Sequence, residues 1–412
     1  MGNTPNIRFK GFTDDWEQRK FSDYYKMSSG YAFKMSDYCE DGIGLINGES
    51  IQHGIINDDN LNHLPESFIE QYPDFILKEG DIVVGLNRPI TNGNLKIARI
   101  PSKYNDSLLY QRAGKVVYKE ECDRDFSYVL LSQEILKHTL VEAVGSDQPF
   151  ISTSKLDKWQ MMIPKDIEEQ HKIGEYFSNL DNLITLHQRK CDEMKKMKKF
   201  MLQKMFPKNG QKNLEIRFDG FTDDWEQRKL GEVVEKVTTK NNDTQYIETF
   251  TNSAELGIMS QREYFDHDVS NIENISGYYI VENDAFVYNP RISTSAPVGP
   301  INRNKLGRTG VMSPLYTVFK VNGIDSEYLE WYFKSTGWHS FMKFNGDSGA
   351  RSDRFSIKDS VFFEMPIPTP DIDEQEKIGE YFSSLDHLIT LHQRKVENLK
   401  NLKKYMLQNM FV

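Results

Sequence analysis

Residues 168–190 read EEQHKIGEYFSNLDNLITLHQRK, and residues 373–395 read DEQEKIGEYFSSLDHLITLHQRK. The two stretches differ at four positions and lie 205 residues apart. A second repeat precedes each of them, because RFKGFTDDWEQRK at residues 8–20 returns as RFDGFTDDWEQRK at residues 217–229. A period this long with only two copies indicates duplication of a whole domain together with a following segment. It does not fit a solenoid or a propeller.

The repeated segments carry apolar residues at spacings that alternate between four and three. This is the heptad pattern of helices that wind around each other. His187 and His392, like Lys198 and Lys403, take matching positions in the pattern, and we interpret them as register and solubility devices. The rest of the predicted seam is Ile173, Phe177, Leu180, Ile184, Cys191, Met194, Met201 and Met205 in the first copy, and Ile378, Phe382, Leu385, Ile389, Val396, Leu399, Met406 and Met410 in the second.

The charges along these segments predict the direction of pairing. Asp166 and Asp371 are candidate helix N-caps, acids dominate the first half of each segment, and bases dominate the second half. Antiparallel packing places each acidic half against a basic half, whereas parallel packing opposes like charges. The stripe from Ile173 to Met205 then forms a rod roughly 50 Å long. One alternative stays open, in which each helix packs only on its own variable domain.

The stretches between the repeats diverge strongly and read as one mixed domain in each half. Period-2 apolar runs at 81–85 and 285–288 predict strands, and 128–138 and 326–335 predict helices. We therefore predict a mixed α/β (α+β) fold. It has two similar globular domains, two long antiparallel coiled-coil helices that separate them, and an internal pseudo-two-fold repeat. The predicted boundaries are 1–164 for the first domain, 165–212 for a central helical spacer, 213–368 for the second domain and 369–412 for a C-terminal helical spacer.

Composition excludes several classes of protein. The three cysteines are too few and too widely spaced for a disulfide scaffold, and they favour a reducing cytoplasm. No run is long and apolar enough for a membrane span, and Met1 is not followed by a signal peptide core. A phosphate-binding loop and a dinucleotide-binding turn are absent, and the nine histidines do not cluster at metal-ligand spacing. We expect neither a catalytic site nor a metal site in this chain.

Taken together, these motifs resemble the specificity subunit of a Type I restriction–modification system over essentially the whole chain. The resemblance rests on the duplicated FTDDWEQRK entries, the apolar-proline exits at 163–164 and 367–368, the two repeated helices and the MLQxMF ends. One departure is that residues 21–23 read FSD, whereas residues 230–232 read LGE at the position that the family usually fills with Leu-Gly.

The resemblance implies two target-recognition domains that each read one half of a bipartite site in double-stranded DNA. The helices would set the spacing and dock methyltransferase subunits, two in number, which methylate adenine. A separate motor-nuclease subunit would restrict. S-adenosylmethionine, ATP and Mg²⁺ are expected on those partner subunits and no cofactor in this chain. No membrane contact is expected. Two other functions stay open, a DNA-independent protein scaffold and a stand-alone DNA-modifying enzyme with an unrecognised site.

The net charge of −10 does not conflict with DNA binding, because phosphate contacts need local bases and not a basic total. A 50 Å rod spans about 15 base pairs at 3.4 Å per step. Arg reads guanine and Asn reads adenine, and loops at strand ends present such side chains. Arg88 and Arg291, which we align with each other, are the first choice. The full set of predicted DNA-binding residues is Asn87, Arg88, Thr91, Asn92, Arg112, Ser152, Ser154, Lys155, Asn289, Arg291, Ser293, Thr294, Arg303, Arg351, Ser352 and Arg354.

Overall fold

The computed structural model describes residues 4–59, 61–142, 150–207, 214–265, 272–347 and 353–412. The chain forms two compact units, one comprising Met1–Leu186 with Lys395–Val412 and the other comprising His187–Arg394. Each of the two long helices contributes to both units. The four-segment division expected from the sequence follows the secondary structure and stays a prediction, because the units divide each helix between them.

A four-stranded antiparallel sheet forms the centre of the first unit. Its strand order is Tyr25–Ser29, Ala113–Tyr118, Ile82–Gly85 and Ile97–Arg99. Side chains alternate between the two faces of a strand, so Ile82 and Val84 join one core and Val83 joins another. The other strands are Glu17–Lys20, Ile43–Ile46, Asn62–Leu64, Ile90–Thr91, Asn94–Leu95, Leu108–Leu109 and Gln160–Ile163. The helices confined to this unit are Phe21–Tyr24, Phe68–Gln71, Arg124–Glu142 and Thr153–Leu156, with 3₁₀ turns at Met35–Asp37, Pro73–Phe75 and Ser102–Tyr104.

The second unit repeats this sheet with the same order. Val234–Lys236, Thr317–Val321, Phe286–Tyr288 and Ile301–Arg303 lie side by side and antiparallel. Phe286 and Tyr288 enter one core, and Val287 enters the other. The other strands are Glu226–Lys229, Phe250–Ser253, Gly257–Ser260, Tyr279–Val281, Gly310–Met312 and Pro366–Thr369. The helices confined to this unit are Leu230–Val233, Gln261–Phe265, Ser326–Lys334, His339–Asn345 and Asp359–Phe362, with a 3₁₀ turn at Ile272–Gly277.

The repeated entry and exit sequences form the strand pair that closes each variable domain. Glu17–Lys20 pairs antiparallel with Gln160–Ile163, and Glu226–Lys229 pairs in the same way with Pro366–Thr369. Pro366 and Pro368 lie within the second of these two-stranded ladders, where an edge position tolerates a residue without an N–H group, and Pro164 directly follows the first. The near-identity of these sequences follows from one shared task, which is to join a variable domain to its long helix.

A buried carboxylate anchors each entry segment to the start of a long helix. Glu169 is 1% exposed and accepts hydrogen bonds from Arg8 Nε at 2.6 Å and from Trp16 Nε1 at 3.4 Å. This bonding raises the pKa of the Arg8 guanidinium. The second copy repeats the contacts with Glu374, Arg217 and Trp225. A charge buried this deeply is tolerated because a bidentate arginine partners it.

The long helices, Ile167–Lys204 and Ile372–Met410, pair antiparallel within each unit. In the first unit Lys403 Nζ donates to Asp181 Oδ1 at 2.6 Å, and the Phe177 and Phe411 rings lie 5.9 Å apart. A charged seam residue thus finds an acid on the other helix, as the charge pattern predicts.

The second unit contains the same contacts with the helices exchanged. Lys198 Nζ bonds Asp386, the Phe206 and Phe382 rings lie 6.0 Å apart, and His187 Nδ1 lies 2.9 Å from His392 Nδ1. A shift of 205 residues maps these pairs onto those of the first unit, and it maps the histidine pair onto itself. The contacts between the two helices therefore repeat in the two units with the helices exchanged.

The apolar stripe packs both on the other helix and on the variable domains. Ile173, Phe177 and Leu180 join the core that contains the sheet and the helix Arg124–Glu142, together with Leu399 of the second long helix. Every predicted seam position in either helix is buried or half-buried. Coiled-coil pairing and packing on the helix's own domain, which the sequence presents as alternatives, therefore coexist.

Candidate nucleic-acid interface

The loops that follow the strands Ile82–Gly85 and Phe286–Tyr288 are held by equivalent backbone hydrogen bonds in the two units. Ile151 N donates to Leu86 O at 2.9 Å, and Phe355 N donates to Pro290 O at 2.7 Å. These bonds connect the loop to the segment that precedes the short helix before the exit strand. Two neighbouring backbone bridges extend the contact, Asn87 with Phe150 and Arg291 with Arg354.

This hydrogen-bond register corrects the alignment of the two halves. Asn87, and not Arg88, occupies the position of Arg291, and Phe150 occupies the position of Arg354. The alignment from sequence is wrong by one residue. Because side chains of a strand alternate between faces, such a slip exchanges inward and outward positions.

The bridged arginines of the second unit border a cleft of about 440 Å³. Arg291 is exposed, and Arg354 is half-buried with its Nε 4.0 Å from Asp353 Oδ2. Among the described side chains that line the cleft, these two are the bases and Glu255 is the acid. Exposed Tyr264 lies on the same lining. The cleft is therefore polar and cationic with an aromatic wall.

A network of buried asparagine amides supports the loop that carries Arg291. Asn289 Nδ2 donates to Asn252 O at 2.7 Å, while Asn289 Oδ1 accepts from Arg291 N at 3.0 Å. Asn302 Nδ2 donates to Asn252 Oδ1 at 2.6 Å. Asn289, predicted as a base reader, is thus buried with both ends of its amide bonded within the chain. These contacts fit a supporting role.

The remaining predicted residues of the second unit lie in different surroundings. Ser293 Oγ accepts from Ala296 N at 3.1 Å within a turn, and Thr294 is exposed beside it. The Arg303 guanidinium donates to Asp284 at 2.8 Å and to Glu327 at 3.2 Å, so chain carboxylates already engage it. Arg351 and Ser352 lie outside the described residues.

In the first unit, four of the predicted residues are exposed on turns or directly beside one. Arg88 and Asn92 have φ of 45° and 51°, and Asn92 lies in the two-residue turn between the strands Ile90–Thr91 and Asn94–Leu95. An Asn-Gly turn of this kind favours a tight hairpin. Thr91 and Arg112 are also exposed.

Besides Asn87, the three remaining predicted residues of the first unit belong to the short helix Thr153–Leu156 and its N-cap. Ser152 and Ser154 place their Oγ atoms 3.1 Å apart. Lys155 forms an ion pair with Glu142, which neutralises its charge locally. The structure thus brings Asn87 and the segment before this helix together, and it leaves Lys155 engaged within the chain.

Two residues at this surface were missed by sequence reasoning. Phe150 is 64% exposed at the bridge to Asn87. Gln261 lines the cleft of the second unit, where its Nε2 donates to Phe250 O at 3.2 Å and its buried Oε1 has no hydrogen-bond partner. No local motif marks either residue, because both reach the surface through long-range backbone contacts.

The described residues contain no group of three or more metal-ligating side chains that could hold a metal ion. No helix in the described part of the chain is long and apolar enough to cross a bilayer.

Solved structures with the same architecture align with nearly the whole chain. The S subunit of a Type I restriction-modification system from M. genitalium aligns with a TM-score of 0.55 and 14% identity, covering 99% of both chains. A chain from a study of complex assembly and conformational transition of the Type I R-M system aligns with a TM-score of 0.51 and 15% identity, covering 96% of this chain and 97% of its own. These likenesses concern the fold.

Relatives by sequence are specificity subunits of Type I restriction enzymes. The MjaVIII subunit of Methanocaldococcus jannaschii is 35% identical over 188 residues, which is 45% of this chain and 44% of the relative. The EcoAI subunit of Escherichia coli is 30% identical over 184 residues, which is 44% of this chain and 30% of the relative. The matched part therefore spans less than half of either relative.

The family model described as Type I restriction modification DNA specificity domain matches twice, at residues 13–196 and 222–401. The two matches begin within the repeated entry sequences and end within the long helices, so each covers one structural repeat. The chain therefore belongs to the Type I restriction-modification DNA specificity domain family.

Proposed function

We propose that this chain is the sequence-specific DNA-recognition subunit of a Type I restriction–modification complex, in which each variable domain reads one half of a bipartite target. One observation carries the proposal. The sheet order, the closing strand pair and the buried Arg–Glu anchor occur twice almost unchanged, while the loops beyond the central strands carry different residues. Such a molecule is a constant frame with two exchangeable readers.

The helix pair supports the proposal that the chain sets the spacing between the half-sites. Each long helix runs through both units, and its contacts repeat with the helices exchanged. From this exchange of contacts we expect the two readers to take half-sites of opposite polarity. Half-sites for identical readers would then be inverted repeats.

Exposed apolar side chains on the long helices support docking of methyltransferase subunits. Leu183 and Leu402 are exposed beside the Asp181–Lys403 ion pair, and Met197 and Leu388 are exposed beside the equivalent pair in the second unit. Further exposed apolar residues three positions along the same faces are Leu186, Tyr405, Phe200 and Leu391. Clustered exposed apolar residues favour a protein partner. Their duplication supports two methyltransferase subunits.

In this proposal the chain itself is non-catalytic and acts in the cytoplasm. The partner methyltransferases bind S-adenosylmethionine and methylate adenine, and the motor-nuclease subunit uses ATP and Mg²⁺. What this chain contributes is the choice of site, through base contacts, and the geometry of assembly, through the helices.

The test is methylome sequencing in a host that expresses this chain with its methyltransferase. The expected result is methylated adenine in a split motif that disappears when this gene is deleted and returns when it is restored. Methylation of the same motif without this chain would refute the proposal. Assembly with the methyltransferase but no sequence-specific DNA binding by the complex would favour the scaffold.

The docking surface has its own test by native mass spectrometry of the assembled complex. The double substitution Leu183→Asp and Leu402→Asp should remove one methyltransferase subunit and leave the other. Ile55→Asp is the matched control, because Ile55 is exposed and apolar but lies on the first variable domain. Unchanged stoichiometry in the Leu183→Asp and Leu402→Asp variant would exclude this face as the docking site.

A further inference from the structure

The cleft of the second unit combines hydrogen-bond donors and acceptors in one place. Arg291 and Arg354 lie on bridged backbone segments, and both residues line the cleft. Glu255 supplies an exposed carboxylate, and Gln261 supplies an amide oxygen that lacks a partner.

This combination matches one edge of DNA. A G·C pair shows the guanine N7 and O6 acceptors and the cytosine N4 amino donor in the major groove. Arginine bonds guanine bidentately, and a carboxylate accepts from the cytosine amino group. We propose that this cleft reads the major-groove edge of a G·C base pair in the half-site of the second domain. The inference rests on the proposed function and names the reader within it.

The cleft is built to hold its donors in place. Asn289 Oδ1 accepts from the backbone N–H of Arg291, and Asn289 is itself fixed by Asn252. The Arg354 segment is fixed by the adjacent bond from Phe355 N to Pro290 O. A reading side chain needs this kind of supporting shell, because discrimination between bases depends on geometry within a fraction of an ångström.

The first unit carries different chemistry at the equivalent positions. Asn87 replaces Arg291, and exposed Phe150 replaces Arg354. Asparagine bonds adenine bidentately through N6 and N7, and phenylalanine contacts the thymine methyl group. The same position in the frame therefore reads A·T in the first half-site and G·C in the second.

Arginines also bind phosphate, and the experiment separates the two sources of affinity. The assembled complex is titrated with duplexes that carry the methylated motif identified by sequencing, and each base pair of both half-sites is replaced in turn. Loss of a phosphate contact weakens binding to all duplexes alike and lowers the salt slope by about one per contact. Loss of a base contact weakens binding to the preferred duplex about 5- to 150-fold and removes discrimination at one position.

Arg291→Ala and Arg354→Ala are each expected to lose discrimination at a G·C pair of one half-site. The matched control is Arg308→Ala in the same unit, which removes an exposed arginine paired with Glu248 away from the cleft lining. That variant should keep the wild-type preference at every position. Thermal denaturation of each variant checks that the fold is retained.

The double substitution Arg291→Asn and Arg354→Phe places in the second domain the residue types that Asn87 and Phe150 provide in the first. It should change the preference at that position from G·C to A·T. Uniform weakening with a reduced salt slope, or a half-site without a G·C requirement, overturns the inference and leaves the proposed function standing. Absence of any preferred sequence for the wild-type complex overturns the proposed function itself.

Discussion

The C-terminal end of the chain is expected to stabilise the first unit, although most of that unit lies at the other end of the sequence. Phe411 is 9% exposed, and its ring lies 6.0 Å from Trp16, 6.1 Å from Phe126 and 5.9 Å from Phe177. Replacing a buried phenylalanine by alanine costs about 3–5 kcal/mol through lost transfer energy and the cavity left behind. Phe411→Ala should therefore lower the folding constant of the first unit by about two to four orders of magnitude.

The repeat supplies a matched variant for the second unit. Phe206 occupies the equivalent position there, with its ring 5.7 Å from Tyr328, 5.9 Å from Tyr332 and 6.0 Å from Phe382. Phe206→Ala removes the same number of atoms from the same kind of cluster. It should destabilise the second unit to a similar degree.

Hydrogen exchange followed by mass spectrometry distinguishes the two effects. Peptides from Ala113–Tyr118 report on the sheet of the first unit, and peptides from Thr317–Val321 report on that of the second. Phe411→Ala should accelerate exchange in the first set, and Phe206→Ala in the second. Equal acceleration of both sets by either variant, or unchanged exchange in Phe411→Ala, would refute this reasoning.

Three further substitutions follow from local geometry. Gly174→Ala should lower the free energy of unfolding, measured by chemical denaturation, by about 1–3 kcal/mol. Alanine favours helix, but its Cβ would lie 2.5 Å from Phe126 N and would clash there. A gain in stability would contradict this packing. Burial lowers the pKa of His138, so the first unit should lose stability as pH falls below about 6.5. His138→Phe should flatten that dependence in thermal melts recorded across a pH series. A pH dependence equal to that of the wild type would exclude His138 as its source. Asp181→Lys and Lys403→Asp should each lower the stability of the first unit, and the double reversal should restore it. A double-mutant cycle should give a coupling free energy of about 0.2–1 kcal/mol. A coupling of zero would contradict the ion pair.

The helices were predictable because their signals are local. Asp166 and Asp371 cap the long helices as expected, since their carboxylates accept from Glu168 N and Glu374 N, both at 2.9 Å. The same segments hold a feature that local reasoning misses. Glu169, whose position suggests a capping residue, bonds Arg8 instead, and that partner lies 161 residues away.

The register of the variable domains was not predictable from one sequence. The strands were found, but the alignment of Arg88 with Arg291 slipped by one residue. The true register depends on long-range pairs such as Val83 with Lys115 and Val287 with Val318. A run of short apolar residues fits two registers equally well, and only the partner strand selects one.

The candidate site residues also differ in how far local sequence predicts them. Arg291 and Arg354 follow from the rule that loops at strand ends present long cationic side chains. Arg303 also lies at a strand end, but in the folded chain it forms ion pairs with Asp284 and Glu327. Gln261 carries no local mark, because its place in the cleft depends on how the strand before it, Gly257–Ser260, pairs with Phe250–Ser253.

The claim that the chain carries two exchangeable DNA-reading domains on a repeated frame is tested most directly by making the two domains identical. The measurement is methylome sequencing of a chain in which residues 21–159 are replaced by residues 230–365, so that both closing strand pairs keep their native sequences. The methylated motif should change in one half only and become an inverted repeat of the half read by the second domain. A motif that stays unchanged, or that changes in both halves, would contradict this claim.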